Sequence, residues 1–84
     1  MLIQFNRNGN PEFVINPDSI GKITYIKESR GTGYCVVIEY SNSSSTEISV
    51  TSEINAMSLM DNIVESSNNL AHYIINLEVY CYDL

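Results

Sequence analysis

The chain has 84 residues, 44% of them hydrophobic, and a formal net charge of −6 at pH 7. This length predicts a single small domain over residues 1–84, and the apolar content excludes a disordered chain. No apolar run approaches the roughly 20 residues that cross a bilayer, and no signal-like segment opens the sequence. We therefore expect a folded cytoplasmic protein with no membrane segment.

The charges are divided unevenly along the chain. Residues 1–30 carry four basic and three acidic side chains, a net charge of +1, whereas residues 31–84 carry seven acidic and no basic ones, a net charge of −7. A negative surface repels phosphate backbones and attracts basic proteins, although solubility alone is a simpler explanation. We expect no direct nucleic-acid binding. The predicted acidic surface consists of Glu39, Glu47, Asp61 and Glu65.

The first half of the chain alternates apolar and polar residues, which is typical of β-strands. Asn8 and Gly9 separate two such runs, and both tolerate the positive φ of a type I′ turn, so a hairpin is predicted there. We expect residues 34–40 to form the central strand, since Val36, Val37 and Ile38 stand in a row. The predicted strands cover residues 2–7, 11–15, 22–28, 34–40 and 46–50.

At Thr51 the apolar period changes from two residues to about 3.6, which indicates an amphipathic helix. Thr51 or Ser52 is the expected N-cap, and the helix should continue for about 13 to 15 residues. The stripe predicted to face the core contains Ala56, Met57, Met60, Ile63 and Val64, with Ile54 near it. The residues expected to face away are Asn55, Ser58, Asp61, Asn62 and Glu65.

The last predicted strand covers residues 73–82, because the alternation of β-forming residues continues through this segment. Apolar residues also stand at helical spacing over residues 70–78, so strand and helix both remain open there. If the segment is a strand, the face toward the core consists of Tyr73, Ile75, Leu77, Val79 and Cys81.

Together these elements predict an α+β fold. An antiparallel sheet of five to six strands, a meander that could curve strongly, would carry one amphipathic helix on one face. Tyrosines on the opposite sheet face would be suited to an interface, because tyrosine offers a large contact area with few rotors. The predicted interface consists of Tyr34, Tyr40, Glu78, Tyr80 and Tyr82, with Tyr25 extending it.

Groups that could perform catalysis are few. His72 is the single histidine, and neither Cys35 nor Cys81 stands in a nucleophile or zinc motif with it. Both cysteines lie in apolar strand patterns, so we expect two buried free thiols. Asp61 and Glu65 are four residues apart, but two carboxylates alone do not make a cation site. The sequence therefore predicts no enzyme activity, no metal and no cofactor.

These observations predict a small acidic interaction protein that associates with itself and acts by binding another protein. That partner would be basic or would handle nucleic acid, as for small inhibitors from phages or mobile elements. Self-association would use the tyrosine-bearing sheet face or an open strand edge. The alternative is a small-ligand or effector-binding module with a Tyr/Met-lined pocket between sheet and helix.

Overall fold

The computed structural model describes residues 2–29, 33–68 and 72–81. The mixture of strands and helices confirms the α+β class. The strands are β1 (Ile3–Arg7), β2 (Asn10–Ile15), β3 (Ile20–Lys27), β4 (Tyr34–Tyr40), β5 (Ser45–Val50) and β6 (Tyr73–Asn76). The helices are α1 (Glu53–Ser67) and the short α2 (Glu78–Cys81), and a 3-10 turn, Pro17–Ser19, joins β2 to β3.

The β1–β2 hairpin turns at Asn8 and Gly9, as predicted. Their φ angles of 53° and 81° lie in the left-handed region that a type I′ turn requires. The two strands pair in antiparallel fashion, with a shift of register between Phe5 and Asn6. The structure therefore confirms the hairpin predicted at Asn8 and Gly9.

Across the described residues the six strands form two three-stranded sheets, so the prediction of one continuous sheet is wrong. The first sheet has the order β2-β1-β6, in which β6 runs parallel to β1. The second is the antiparallel meander β3-β4-β5. Parallel strands need a long crossover, and α1 lies in the connection between β5 and β6. The predicted meander is thus limited to three strands.

Both sheets and α1 contribute to a shared apolar core. In β4 the side chains of Val36 and Ile38 are fully buried, as expected for the middle strand of its sheet. Phe5 of β1 is also fully buried, and its ring stacks on Phe13 with 4.6 Å between the centroids. The core consists of Ile3, Phe5, Ile15, Val36, Ile38, Ile48, Val50, Ala56, Leu59, Ile63, Ile75 and Leu77.

Helix α1 begins after Ser52, whose hydroxyl accepts a hydrogen bond from the Asn55 N–H at 3.2 Å. This confirms one of the two predicted N-caps. The predicted core stripe is partly wrong, however. The buried residues of α1 are Ala56, Leu59, Ile63 and Ser66, whereas Ile54, Met57 and Val64 are exposed. The helix is apolar on two sides, so its composition alone does not show which side faces the core.

The strand predicted for residues 73–82 ends at Asn76. Leu77 is fully buried, and its carbonyl accepts hydrogen bonds from the N–H groups of Tyr80 and Cys81, both at 2.9 Å. These bonds close the turn of α2, so the alternation that continues to residue 82 does not correspond to a strand. Within residues 70–78, where strand and helix both remained open, residues 73–76 are a strand. Helix α2 begins only at Glu78 and occupies residues for which a strand was predicted.

Candidate interaction surface

The predicted tyrosine interface does not form one surface in the structure. Tyr34 and Tyr40 lie on the same side of β4 as Val36 and Ile38, since residues two apart share a face. Both rings are half-buried and pack against the core. Tyr25, on β3, also packs there, and its ring lies 6.1 Å from that of Tyr34. These tyrosines therefore border the core on the inner face, not the opposite one.

Tyr80 lies in α2 and connects the end of the chain to α1. Its hydroxyl accepts a hydrogen bond from Asn62 Nδ2 at 2.8 Å. Its carbonyl oxygen accepts from the Thr51 N–H and from Asn55 Nδ2, both at 3.2 Å. These contacts give Tyr80 a structural role within the chain. Its predicted neighbour in the interface, Tyr82, lies outside the described residues.

Glu78 also makes an internal contact. A carboxylate oxygen of Glu78 accepts a hydrogen bond from the backbone N–H of Asn8 at 2.6 Å, which joins the first hairpin to the start of α2. The Glu78 side chain is half-buried. Its position is explained by this contact within the chain, and its predicted role in an interface remains a prediction.

The predicted acidic residues fall into two groups. Glu39 and Glu47 are exposed on the outer face of the β3-β4-β5 sheet, because their neighbours Val36, Ile38 and Ile48 point into the core. Asp61 and Glu65 are exposed on α1, which packs against the inner face of that sheet. The four carboxylates therefore do not form one patch.

Eight large apolar side chains are exposed among the described residues, and six of them form two groups that the sequence did not identify. Leu2, Val14 and Ile74 surround Gln4 on the outer face of the β2-β1-β6 sheet, where Gln4 pairs with both Val14 and Ile74. The other group, Ile54, Met57 and Val64, lies on α1. The register of β6 against β1 creates the first group, and only a tertiary structure can show that register.

No family model, curated protein or solved structure matches this chain. Its function must therefore be inferred from the geometry of the described residues.

The described residues contain no group of three or more His, Cys, Asp or Glu side chains that could hold a metal ion. His72 is exposed, and its Nε2 lies 3.1 Å from Gln4 Oε1 on the outer face of the first sheet. In the part of the chain that the structure describes, no helix is long and apolar enough to cross a membrane.

The sequence predicted a pocket between sheet and helix. In that region Leu59, Ile63 and Val36 are fully buried and belong to the apolar core. Two shallow hollows lie elsewhere. One is bordered by Asn16, Ser19, Tyr40, Asn42 and Ser44, and the other by Ile26, Glu28, Cys35, Glu47 and Ser49. Neither contains methionine, so neither is the predicted Tyr/Met site.

Both cysteines are free thiols, as expected, but they differ in exposure: Cys35 is buried and Cys81 is half-buried. Burial raises the pKa of the Cys35 thiol, and the nearby Glu47 carboxylate raises it further. Burial also raises the pKa of Cys81. Because the thiolate is the reactive form, a raised pKa lowers reactivity at neutral pH.

In a Cys81→Ser variant, Cys35 is expected to react with iodoacetamide at least about tenfold more slowly in the native protein than in urea. Burial and the raised pKa both contribute to this difference. Mass spectrometry of samples quenched over time measures the rates. A Cys35→Ser variant, which retains the half-buried Cys81, should react faster than the Cys81→Ser variant. Equal native and unfolded rates for Cys35 would contradict the expectation.

Two ionisable side chains near the surface interact with charged neighbours. Arg7 Nε donates to Glu12 Oε2 at 2.7 Å, and this hydrogen bond lowers the pKa of the Glu12 carboxyl. The Tyr25 hydroxyl donates to Glu53 Oε2 at 3.1 Å, which raises the pKa of that tyrosine. Both pairs are exposed and link elements of the fold, so they do not indicate a catalytic site.

Proposed function

We propose that this chain is a non-catalytic interaction protein that associates with itself. The observation that supports this function is the outer face of the β2-β1-β6 sheet, where three large apolar side chains stand together in solvent. Leu2 is 41% exposed, Val14 47% and Ile74 48%. Single exposed apolar residues are common, but a group of them on one face is typical of an association site.

The composition of this sheet face favours a second copy as its occupant. We call it the neutral sheet face: Leu2, Gln4, Asn6, Val14, His72, Ile74 and Asn76. Its centre around Gln4 carries no Asp, Glu, Lys or Arg, although the whole chain has a net charge of −6, and Glu12 at its border is paired with Arg7 at 2.7 Å. In a two-fold dimer the same patch meets itself, so charged residues there would face their own copies. A face that is uncharged at its centre keeps that repulsion small.

Strand β6 adds a second favourable feature. Among the described residues it is an edge strand of four residues whose one neighbour is β1. The backbone groups along an open sheet edge can pair with another copy, and a chain this small gains stability by dimerising. Burial of the three apolar side chains would provide the driving force.

Light scattering at about 100 µM tests self-association at a concentration where weak dimers form. The chain has a mass of 9.4 kDa, and we expect about twice that value. The double variant Val14→Thr/Ile74→Thr, which keeps the β-branched shape and adds hydroxyls to the face, should have the monomer mass. Apolar association should persist at high salt, because salt screens charges and does not weaken apolar burial.

The matched control is Ile26→Thr. Ile26 is 56% exposed, but it lies on β3 in the other sheet, so this variant should keep the mass of the unmodified chain. Thermal unfolding of each variant establishes that the fold is retained. A monomer mass for the unmodified chain, or an unchanged mass for the double variant, would contradict the proposal.

A further inference from the structure

Helix α1 presents two stripes of residues on nearly opposite sides. At 100° per residue, the buried residues Ala56, Leu59, Ile63 and Ser66 lie along one line of the helix. Ile54, Met57, Asp61 and Val64 have the same three-four-three spacing and lie on the other side. We call this second set the outer helix stripe. Ile54 is 75% exposed, and Met57 and Val64 are each 51% exposed.

The spacing of the outer helix stripe is that of the a and d positions of a heptad repeat. Ile54 and Asp61 take the a positions, and Met57 and Val64 take the d positions. Residues at these positions pack against a second helix, with side chains of one helix between those of the other. Three apolar residues over about three turns are therefore in place for a helical partner.

The charges along this stripe indicate what kind of helix fits. Asp61 stands within the apolar line, and Glu53 and Glu65 occupy the positions that flank it. Helix α1 itself contains no Lys or Arg, and one carboxylate oxygen of Glu53 also accepts a hydrogen bond from the Tyr25 hydroxyl. A polar residue at an a position and charges beside the seam determine which partner is accepted. Here the exposed Asp61 within the seam and the net negative charge of α1 favour a cation on the other helix.

We propose that the outer helix stripe binds a cationic amphipathic helix of another protein, with Asp61 opposite a Lys or Arg of that helix. Ile54, Met57 and Val64 provide the apolar contact, and the carboxylates select the partner. A second copy of this chain fits poorly, because its own α1 would bring carboxylates against carboxylates. An anionic lipid surface is disfavoured for the same electrostatic reason.

The probe for this site is a synthetic helical peptide of about three heptads, with isoleucine at a and leucine at d. It carries lysine at its central a position and at its e and g positions. A second peptide has glutamate in place of every lysine. Fluorescence anisotropy measures the affinity of the full chain for each labelled peptide. We expect the lysine peptide to bind at least about tenfold more tightly, and added salt to weaken it.

Substitutions on α1 and on the β3-β4-β5 sheet distinguish binding at the outer helix stripe from general attraction between opposite charges. Met57→Ser/Val64→Ser removes apolar contact at exposed positions and should lower affinity for the lysine peptide at least about tenfold. Asp61→Asn should lower it about fivefold. The matched control, Glu47→Gln, also removes one negative charge, but from the outer face of the β3-β4-β5 sheet. It should leave the affinity for the lysine peptide unchanged.

Three results would overturn the proposal. One is equal affinity for the lysine and glutamate peptides. Another is an equal loss of affinity for the lysine peptide in Asp61→Asn and Glu47→Gln. The third is full binding by Met57→Ser/Val64→Ser with its fold intact by thermal unfolding. The test is independent of self-association, because Val14→Thr/Ile74→Thr should still bind the peptide. In turn, Met57→Ser/Val64→Ser should keep the mass of the unmodified chain, and a fall to the monomer mass would instead identify the stripe's occupant as a second copy.

Discussion

Leu59→Ala is expected to lower the free energy of unfolding by about 3 kcal/mol, the middle of the range for a leucine truncated in a close-packed core. Leu59 is fully buried on the inner side of α1 and belongs to the core to which both sheets contribute. The loss combines buried apolar surface with the cavity that the rigid surroundings leave behind. For a domain of this size it corresponds to a fall in Tm of about 15 °C.

Met57→Ala is the matched control for Leu59→Ala. It lies two residues away on the same helix and removes a similar apolar volume, but Met57 is 51% exposed. We expect its effect to stay below about 1 kcal/mol, because little buried surface is lost and alanine favours the helix. Urea unfolding measures the free energy of unfolding of both variants. An equal loss in the two variants would mean that α1 does not present Leu59 to the core.

Tyr80→Ala is expected to cost about 2 kcal/mol of stability without changing the mass of the chain in solution. The truncation removes a half-buried ring and the hydrogen bond from Asn62 to the hydroxyl. The contacts of the Tyr80 carbonyl with Thr51 and Asn55 involve the backbone and survive the substitution. The expected effect is therefore a loosened attachment of α2 to α1.

Tyr80→Phe separates the ring from its hydroxyl. It keeps the packing and removes one hydrogen bond, so its expected cost is about 1 kcal/mol. Urea unfolding measures the stability of both Tyr80 variants, and light scattering at about 100 µM measures their mass. A fall to the monomer mass with little loss of stability would support the role in an interface that the sequence predicted for Tyr80.

Several features of the fold could be predicted from the sequence because they depend on neighbouring residues only. The turn at Asn8 and Gly9 follows from the positive φ that both tolerate. The strand at residues 34–40 follows from its β-branched run, and the start of α1 follows from the hydroxyl of Ser52, which caps the helix. Free cysteines were also predictable, since neither stands in a ligand motif.

The inward position of Tyr34 and Tyr40 was present in the sequence as well. Both have even numbers, like Val36 and Ile38, and strand alternation places all four on one side. The prediction of an outer tyrosine face failed because it extended the pattern of the last segment to β4. In the structure the last strand ends at Asn76, and residues 78–81 form the helix α2. Strand alternation therefore does not describe which way the side chains of residues 78–81 face.

Only the tertiary structure decided which strands pair and which side of α1 is buried. Strand β6 lies parallel to β1, more than 60 residues away in sequence, and no local signal encodes that register. Helix α1 has apolar residues on two sides, so the choice between them depends on the shape that both sheets offer. That choice leaves Ile54, Met57 and Val64 in solvent. The sequence by itself determined the first five strands, helix α1 and the distribution of charge, because these depend on short-range backbone and side-chain preferences. The neutral sheet face and the outer helix stripe depend on how distant segments pack. The free energy of that packing is distributed over the whole core.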